Sequence, residues 1–309
     1  MGEALGEYRA PVEVFFEQKR TDLYDGAHGT FLAPFVEPGT PPDLLNLTSD
    51  GRAHVADLAK AYYDAGAVMS QTNTFRGNMC ALGRYGLDER DVYQLNLLSA
   101  QTLRSVAGST RYVAGDIGPT GLLLASDRVG DAYEYEVREA VRPQVKGLLD
   151  GGADVLHIET QSSAAEVQAI IEEIRATRRG TPIIVTMTFE RRNSTRPFRT
   201  QVIGKGTGDL VALADEYGLL AYGANCGLGP DGSGELVDQL RREHPDAVLV
   251  MKLNAGMPIM VNDQEVYPKS PSDMGHFALQ MADMGVRLVG ACCGSTPEHI
   301  QAMNDALHR

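Results

Sequence analysis

Cysteine is scarce in this chain, with four residues among 309. That excludes a disulfide-stapled scaffold, and a chain of this length buries a sufficient core without one. Positive charge is in the minority. There are 28 Lys and Arg against 41 Asp and Glu, a formal net charge of −13, and no basic run. The balance argues against nucleic acid or an anionic membrane as the main partner. Long apolar runs are missing too. The first twenty residues contain no stretch able to form the core of a signal peptide. The longest apolar candidate, 248–261, is interrupted by Lys252, Asn254 and Pro258, so no segment spans a bilayer. A cytoplasmic protein is expected, in which cysteines persist as thiols or bind metal. No Gly/Ser-rich linker or shift of composition divides the chain, which favours a single domain.

What is present is periodicity. Eight short segments rich in β-branched and apolar residues recur along the chain, each running into a polar or glycine-rich end. They are LYDGAHGT (23–30), VMSQTNTF (68–75), YVAGDIGPTG (112–121), VLHIET (155–160), IIVTMTF (183–189), YGANCGL (222–228), VLVMKLNAG (248–256) and RLVGACCG (287–294). That pattern fits parallel strands feeding loops. Helical stripes lie between them: Val55, Leu58, Tyr62 and Ala65; Val137, Val141, Val145 and Leu148; Val167, Ile170, Ile171 and Ile174. The last helix opens with Thr296 as N-cap, Pro297 at its first position and Glu298 near the positive dipole end. Strands alternating with helices define an α/β protein, and eight of each predict a (β/α)8 TIM barrel over 21–309. An open doubly wound sheet is the alternative. Residues 1–20 read as an N-terminal extension, and loops at 190–206 and 257–271 are expected to cross the barrel mouth.

Polar side chains gather at the C-terminal ends of these strands, the face on which barrels build active sites. They include Asp25, His28, Thr72, Asn73, Thr74, Asp116, Glu159, Asn225, Asn254 and three of the four cysteines. Cys226 closes the sixth strand and Cys292 with Cys293 closes the eighth, near enough in a closed barrel to share one ion. Three thiolates with an open fourth position match a catalytic zinc site, whereas a structural site is closed by a fourth protein ligand. Ordinary buried thiols are the competing reading. A Cys292–Cys293 disulfide is disfavoured, because adjacent Cα atoms lie about 3.8 Å apart, below the disulfide range. Cys80, in a helical stretch, is read as a core thiol.

The ordered set DGAHGT (25–30), PDLLNLT (42–48), QTNTF (71–75), GDIGPTG (115–121), DVLHIET (154–160), GANC (223–226) and GACCGSTPEHI (290–300) resembles the homocysteine S-methyltransferase family over nearly the whole chain. GDIGPTG is more similar to the homocysteine-binding barrel of cobalamin-dependent methionine synthase than to the betaine-dependent enzymes. The resemblance implies a (β/α)8 barrel that moves a methyl group to homocysteine sulfur, giving methionine, with Zn2+ held by Cys226, Cys292 and Cys293. It also implies that Asp25 and Glu159 hold the substrate ammonium by charge-assisted hydrogen bonds. The backbone at Gly26 and Ala27 would then receive its carboxylate.

Thr72, Asn73 and Thr74 either line the site or satisfy loop backbone groups. Asn225 is expected to orient the neighbouring cysteine, and Asp116 to shape the donor side. His28 stands where the family commonly carries a hydrophobic residue, so it contacts substrate, carries a proton or packs beside the pocket. His157 is expected one layer below Glu159 as core filler, and His299 at a helix start. These departures leave the acceptor open between homocysteine and another thiol. No folate or cobalamin segment is read in this sequence. The donor is therefore expected to be a small molecule, among S-methylmethionine, S-adenosylmethionine and betaine, or a methyl-corrinoid on a separate protein. A corrinoid-linked component and a non-catalytic amino-acid or zinc-binding barrel are the rival readings.

Overall fold

The parallel pairing expected of the eight segments is realised in every case. The structure, a computed structural model, describes residues 9–122, 131–191, 196–200, 204–262 and 264–308. The barrel strands are β1 (Asp22–Leu23), β2 (Met69–Gln71), β3 (Tyr112–Ile117), β4 (Val155–Gln161), β5 (Ile183–Met187), β6 (Ala221–Asn225), β7 (Leu249–Leu253) and β8 (Leu288–Ala291). Each pairs with its sequence neighbour, and β1 pairs with β8. The ring closes between β1 and β2, where Tyr24 bridges Met69 and the Val68 N–H donates to the Leu23 carbonyl at 2.8 Å. That closure rules out the open sheet. The chain is a (β/α)8 barrel.

Eight helices follow the strands: α1 (Ser49–Asp64), α2 (Glu89–Ala107), α3 (Asp131–Asp150), α4 (Ala164–Thr177), α5 (Thr207–Tyr217), α6 (Ser233–Glu243), α7 (Pro271–Asp283) and α8 (Pro297–Leu307). The three apolar stripes read from sequence face inward, and all twelve residues are buried. Burying each large aliphatic side chain is worth roughly 1.5–3 kcal/mol, so these stripes fasten the helices to the sheet. Helix α8 starts at Thr296, whose N–H donates to His299 Nδ1 at 3.1 Å, so that His299 does sit at a helix start.

Residues 1–8 of the expected extension lie outside the described residues. Beyond them, the helix Val12–Phe16 buries Val12, Phe15 and Phe16 in one cluster with Tyr24, Met69, Tyr112 and Leu288 at the strand beginnings. The base of the barrel is thereby shut and chemistry is left to the other end. There, Phe189–Glu190 pairs with Arg199–Thr200, and Ile259–Val261 pairs with Gln264–Val266. Residues 192–195, 201–203 and 263 of the two long loops are outside the described residues. Among the described residues no helix is long and apolar enough to cross a membrane.

Candidate metal centre and adjoining cavity

The residue after β6 is Cys226, with φ +53°. A non-glycine residue in this left-handed region costs on the order of 1–3 kcal/mol and persists only where its surroundings enforce it. Here the Cys226 N–H donates to the Lys252 carbonyl at 3.1 Å and fixes the turn. On the β8 side, the Cys292 N–H donates to the Leu253 carbonyl at 2.8 Å. These two pins bring three sulfurs together. The Sγ atoms of Cys226, Cys292 and Cys293 lie within 4.8 Å of one another, and Cys293 is 4.0 Å from each of the other two.

All four cysteines are free thiols. A tetrahedral ion with bonds of about 2.3 Å would hold its sulfurs about 3.8 Å apart, close to the spacing found. The thiols also act on one another. Hydrogen bonds from Cys292 and Cys293 pull Cys226 down to about 3. Its thiolate in turn pushes both neighbours above the ordinary thiol range. One negative charge is thus shared by three sulfurs, whereas a bound divalent cation would keep all three deprotonated. Chemistry and spacing both fit a metal centre.

Asn254 braces this end. Its Oδ1 accepts the Cys293 N–H at 3.1 Å, and its side chain also hydrogen-bonds the Cys226 sulfur. Tyr267 covers the outer side, hydrogen-bonded to Cys293. Its ring lies so close to Gly294 that an added Cβ there would sit 2.1 Å from Tyr267 Cγ. The rim loop is therefore seated on the cysteine turn.

Asp25 is fully buried and already surrounded by donors. Its Oδ2 accepts from His28 Nε2 at 2.7 Å, Ser70 Oγ at 2.7 Å and the Gln71 N–H at 2.8 Å, and its Oδ1 accepts from Lys252 Nζ at 2.7 Å. Burial alone would raise this carboxyl, but Lys252 and His28 outweigh it and hold it well below the usual range. Asp25 does not line the cavity. An ammonium from a substrate would have to displace one already supplied by the protein.

Lys252 is the residue that sequence reasoning passed over as an interruption of an apolar run. It is buried, ion-paired with Asp25, hydrogen-bonded to Gln71 Oε1, and 3.9 Å above the centre of the Tyr24 ring. Burial opposes its charge, yet Asp25 and Glu159 raise it further, so it stays an ammonium. Gly290 makes room for its stem, since a Cβ there would lie 3.1 Å from Lys252 Cγ and 2.7 Å from the Asp25 carbonyl. A lysine at an inward-facing strand position was the available signal.

The remaining expected residues sort by their contacts. Glu159 lines the cavity, with Oε1 accepting from Gln71 Nε2 at 3.2 Å and Oε2 from Asn225 Nδ2 at 3.3 Å. Burial raises its pKa, Lys252 opposes that, and Asp25 adds to it. Asn225 faces Glu159, Thr160 and Thr186. Its expected contact with the cysteine belongs to Asn254. His28 lines the cavity, and its buried Nδ1 has no partner among the described residues. Thr72, Asn73 and Thr74 also line it while serving the loops. Thr72 Oγ1 accepts the Asp116 N–H at 2.8 Å, and Asn73 Nδ2 donates to the Pro42 carbonyl at 2.8 Å. Gly26 and Ala27 border the cavity, but the Ala27 N–H is taken by Ser295 Oγ at 2.9 Å. His157 lies deeper, between Tyr24 Oη at 3.1 Å and Thr186 Oγ1 at 2.9 Å, and burial depresses its pKa far enough to keep it neutral. Cys80 sits away from the cluster at the start of the short helix Met79–Leu82, half-buried.

The cavity that joins these groups has a volume of about 480 Å3, and the cysteine cluster, Lys252 and Glu159 all open onto it. The size suits two small reactants side by side. The sulfur triad and the buried carboxyl groups thus sit together at the C-terminal strand ends of a parallel barrel, the face on which barrel enzymes build their sites. The chain belongs to the homocysteine S-methyltransferase family, whose family model matches residues 23–307. It is 31% identical over 280 residues to methionine synthase of Mycobacterium leprae and 32% identical over 278 residues to that of Mycobacterium tuberculosis. Each match covers 87% of this chain but only 22% of the relative. The homocysteine methyltransferase MmuM of Escherichia coli, in its oxidized form, superposes with a TM-score of 0.76 at 25% identity. That match covers 96% of this chain and 99% of MmuM.

Proposed function

We propose that this chain is a zinc-dependent S-methyltransferase with homocysteine as acceptor and methionine as product. The observation that carries this reading is the convergence of Cys226, Cys292 and Cys293 on one cavity with Glu159. The three cysteines would hold the ion, and zinc when bound supplies a Lewis acid that keeps a thiol deprotonated at neutral pH. The rest is the work of the protein. Asn254 and the strained turn at Cys226 fix the sulfurs. Glu159, steadied by Gln71 and Asn225, faces the acceptor's amino end. The closed base and the cavity walls hold acceptor and donor side by side, which supplies much of the acceleration. In the transfer itself the acceptor sulfur forms a bond to the donor methyl carbon as the bond from that carbon to the donor breaks. The acceptor's thiol proton leaves to solvent.

The donor is a small methylated molecule or a methyl-corrinoid on a separate protein. Incubating the zinc-loaded protein with homocysteine and each donor in turn, and following methionine by mass spectrometry, identifies it. Methionine should form with one donor in the wild type and fall on the order of a thousandfold or more in Cys292→Ala, together with loss of bound zinc. Full turnover in Cys292→Ala without zinc would overturn the reading.

A further inference from the structure

Methyl transfer to a thiol needs somewhere for the thiol's proton to go. His28, on the turn that follows β1, is 6% exposed and lines the cavity. Its two ring nitrogens are unlike. Nε2 meets Asp25 Oδ2 at 2.7 Å, while Nδ1 is buried with no partner among the described residues. Burial raises the Asp25 carboxyl, but Lys252 and His28 outweigh it, so Asp25 stays ionised. An ionised carboxylate only accepts hydrogen bonds, which puts the ring hydrogen on Nε2. Nδ1 of the neutral ring is then a bare lone pair.

The backbone that carries His28 is laced to the turn that carries two of the sulfurs. The Ala291 N–H donates to the Asp25 carbonyl at 2.9 Å, and the Ala27 N–H donates to Ser295 Oγ at 2.9 Å. Ser295 Oγ in turn donates to the Cys292 carbonyl at 2.7 Å, and the Gly294 N–H donates to Thr30 Oγ1 at 3.4 Å. Segment 25–30 is thus held against the cysteine turn on both sides of His28. Tyr62 of α1 packs beside the imidazole, with ring centroids 5.8 Å apart, and its hydroxyl donates to the Ala27 carbonyl at 2.7 Å. The charged groups around His28 are Asp25 and, beyond it, Lys252.

We propose that His28 accepts the proton of the acceptor's thiol at Nδ1. The inference rests on the methyl-transfer reading and adds to it the route by which the proton leaves. The S–H bond breaks and its electron pair stays on sulfur, which then attacks the donor methyl. The proton forms the Nδ1–H bond, and it passes to solvent when the product leaves. Asp25 fixes the tautomer and balances the imidazolium that forms, as a carboxylate does for a histidine base. Such contacts tighten only when the substrate is seated.

The test counts protons. Homocysteine is titrated by calorimetry into the zinc-loaded protein at about pH 7.5, where a free thiol keeps its proton, in buffers of differing ionisation enthalpy. His28→Gln keeps a donor for Asp25 and loses the titrating nitrogen. Wild type should release close to no proton, and His28→Gln about one per homocysteine bound. Equal counts in the two proteins overturn the proposal, and so does release of about one proton by wild type. A second measurement needs no variant. With the histidine nitrogens of the wild type isotopically labelled, the His28 Nδ1 resonance should move from the unprotonated to the protonated range on saturation with homocysteine. A resonance that does not move overturns the proposal as well. Failure of the function reading looks different: homocysteine would not bind the wild type.

Discussion

The two ends of the cavity are built on opposite plans. At the sulfur end, three like groups converge, and the backbone is bent to bring them there. At the carboxylate end, Asp25 is saturated by four donors, among them a lysine reaching in from β7. The first end has the sulfur spacing to hold a cation. The second has its partners in place at Asp25.

The sharpest way to break that comparison is at Lys252. Lys252→Met leaves the buried Asp25 charge uncompensated, and removal of one partner of a buried pair costs about 3–5 kcal/mol. Urea unfolding should show that loss, and the double variant Lys252→Met/Asp25→Asn should recover most of it. An unchanged unfolding midpoint in Lys252→Met would mean that Asp25 is not held as described.

A smaller effect sharpens the contrast among the carboxyls. Burial raises Asp43 to about 6. A carboxyl whose folded pKa is raised contributes stability below its unfolded pKa of about 4, and that contribution is lost as pH rises through 6. Asp43→Asn keeps an oxygen for the Arg76 N–H and does not titrate. Its stability relative to the wild type should therefore grow between pH 4 and 7, by at most about 3 kcal/mol. A difference that stays flat with pH would show that Asp43 is not shifted. Asp25 carries the opposite sign, because its folded pKa is lowered. Its contribution is present above pH 4 and disappears only in stronger acid.

The sulfur end was legible in the sequence because its ligands follow directly on strand ends, where strand counting fixes direction and height. The barrel was legible for the same reason, since periods of 2 and 3.6 report which faces are buried. The partners of Asp25 were not. Whether Asp25 meets a substrate or a lysine depends on a side chain 227 residues away, and no local pattern reports that distance. Within one strand, Lys252 read as a break in an apolar run, whereas it faces the barrel centre beside Gly290. Asn225 was placed correctly on its strand, but its inward direction carries it to Glu159 and leaves the neighbouring cysteine to Asn254.

The central claim is that three cysteine sulfurs form a metal site with room for the acceptor's sulfur. X-ray absorption at the zinc edge tests it most directly, on the zinc-loaded protein before and after saturation with homocysteine. Three sulfur neighbours rising to four is the result expected. Fewer than three at the start, or no change in sulfur count on saturation, would contradict the account.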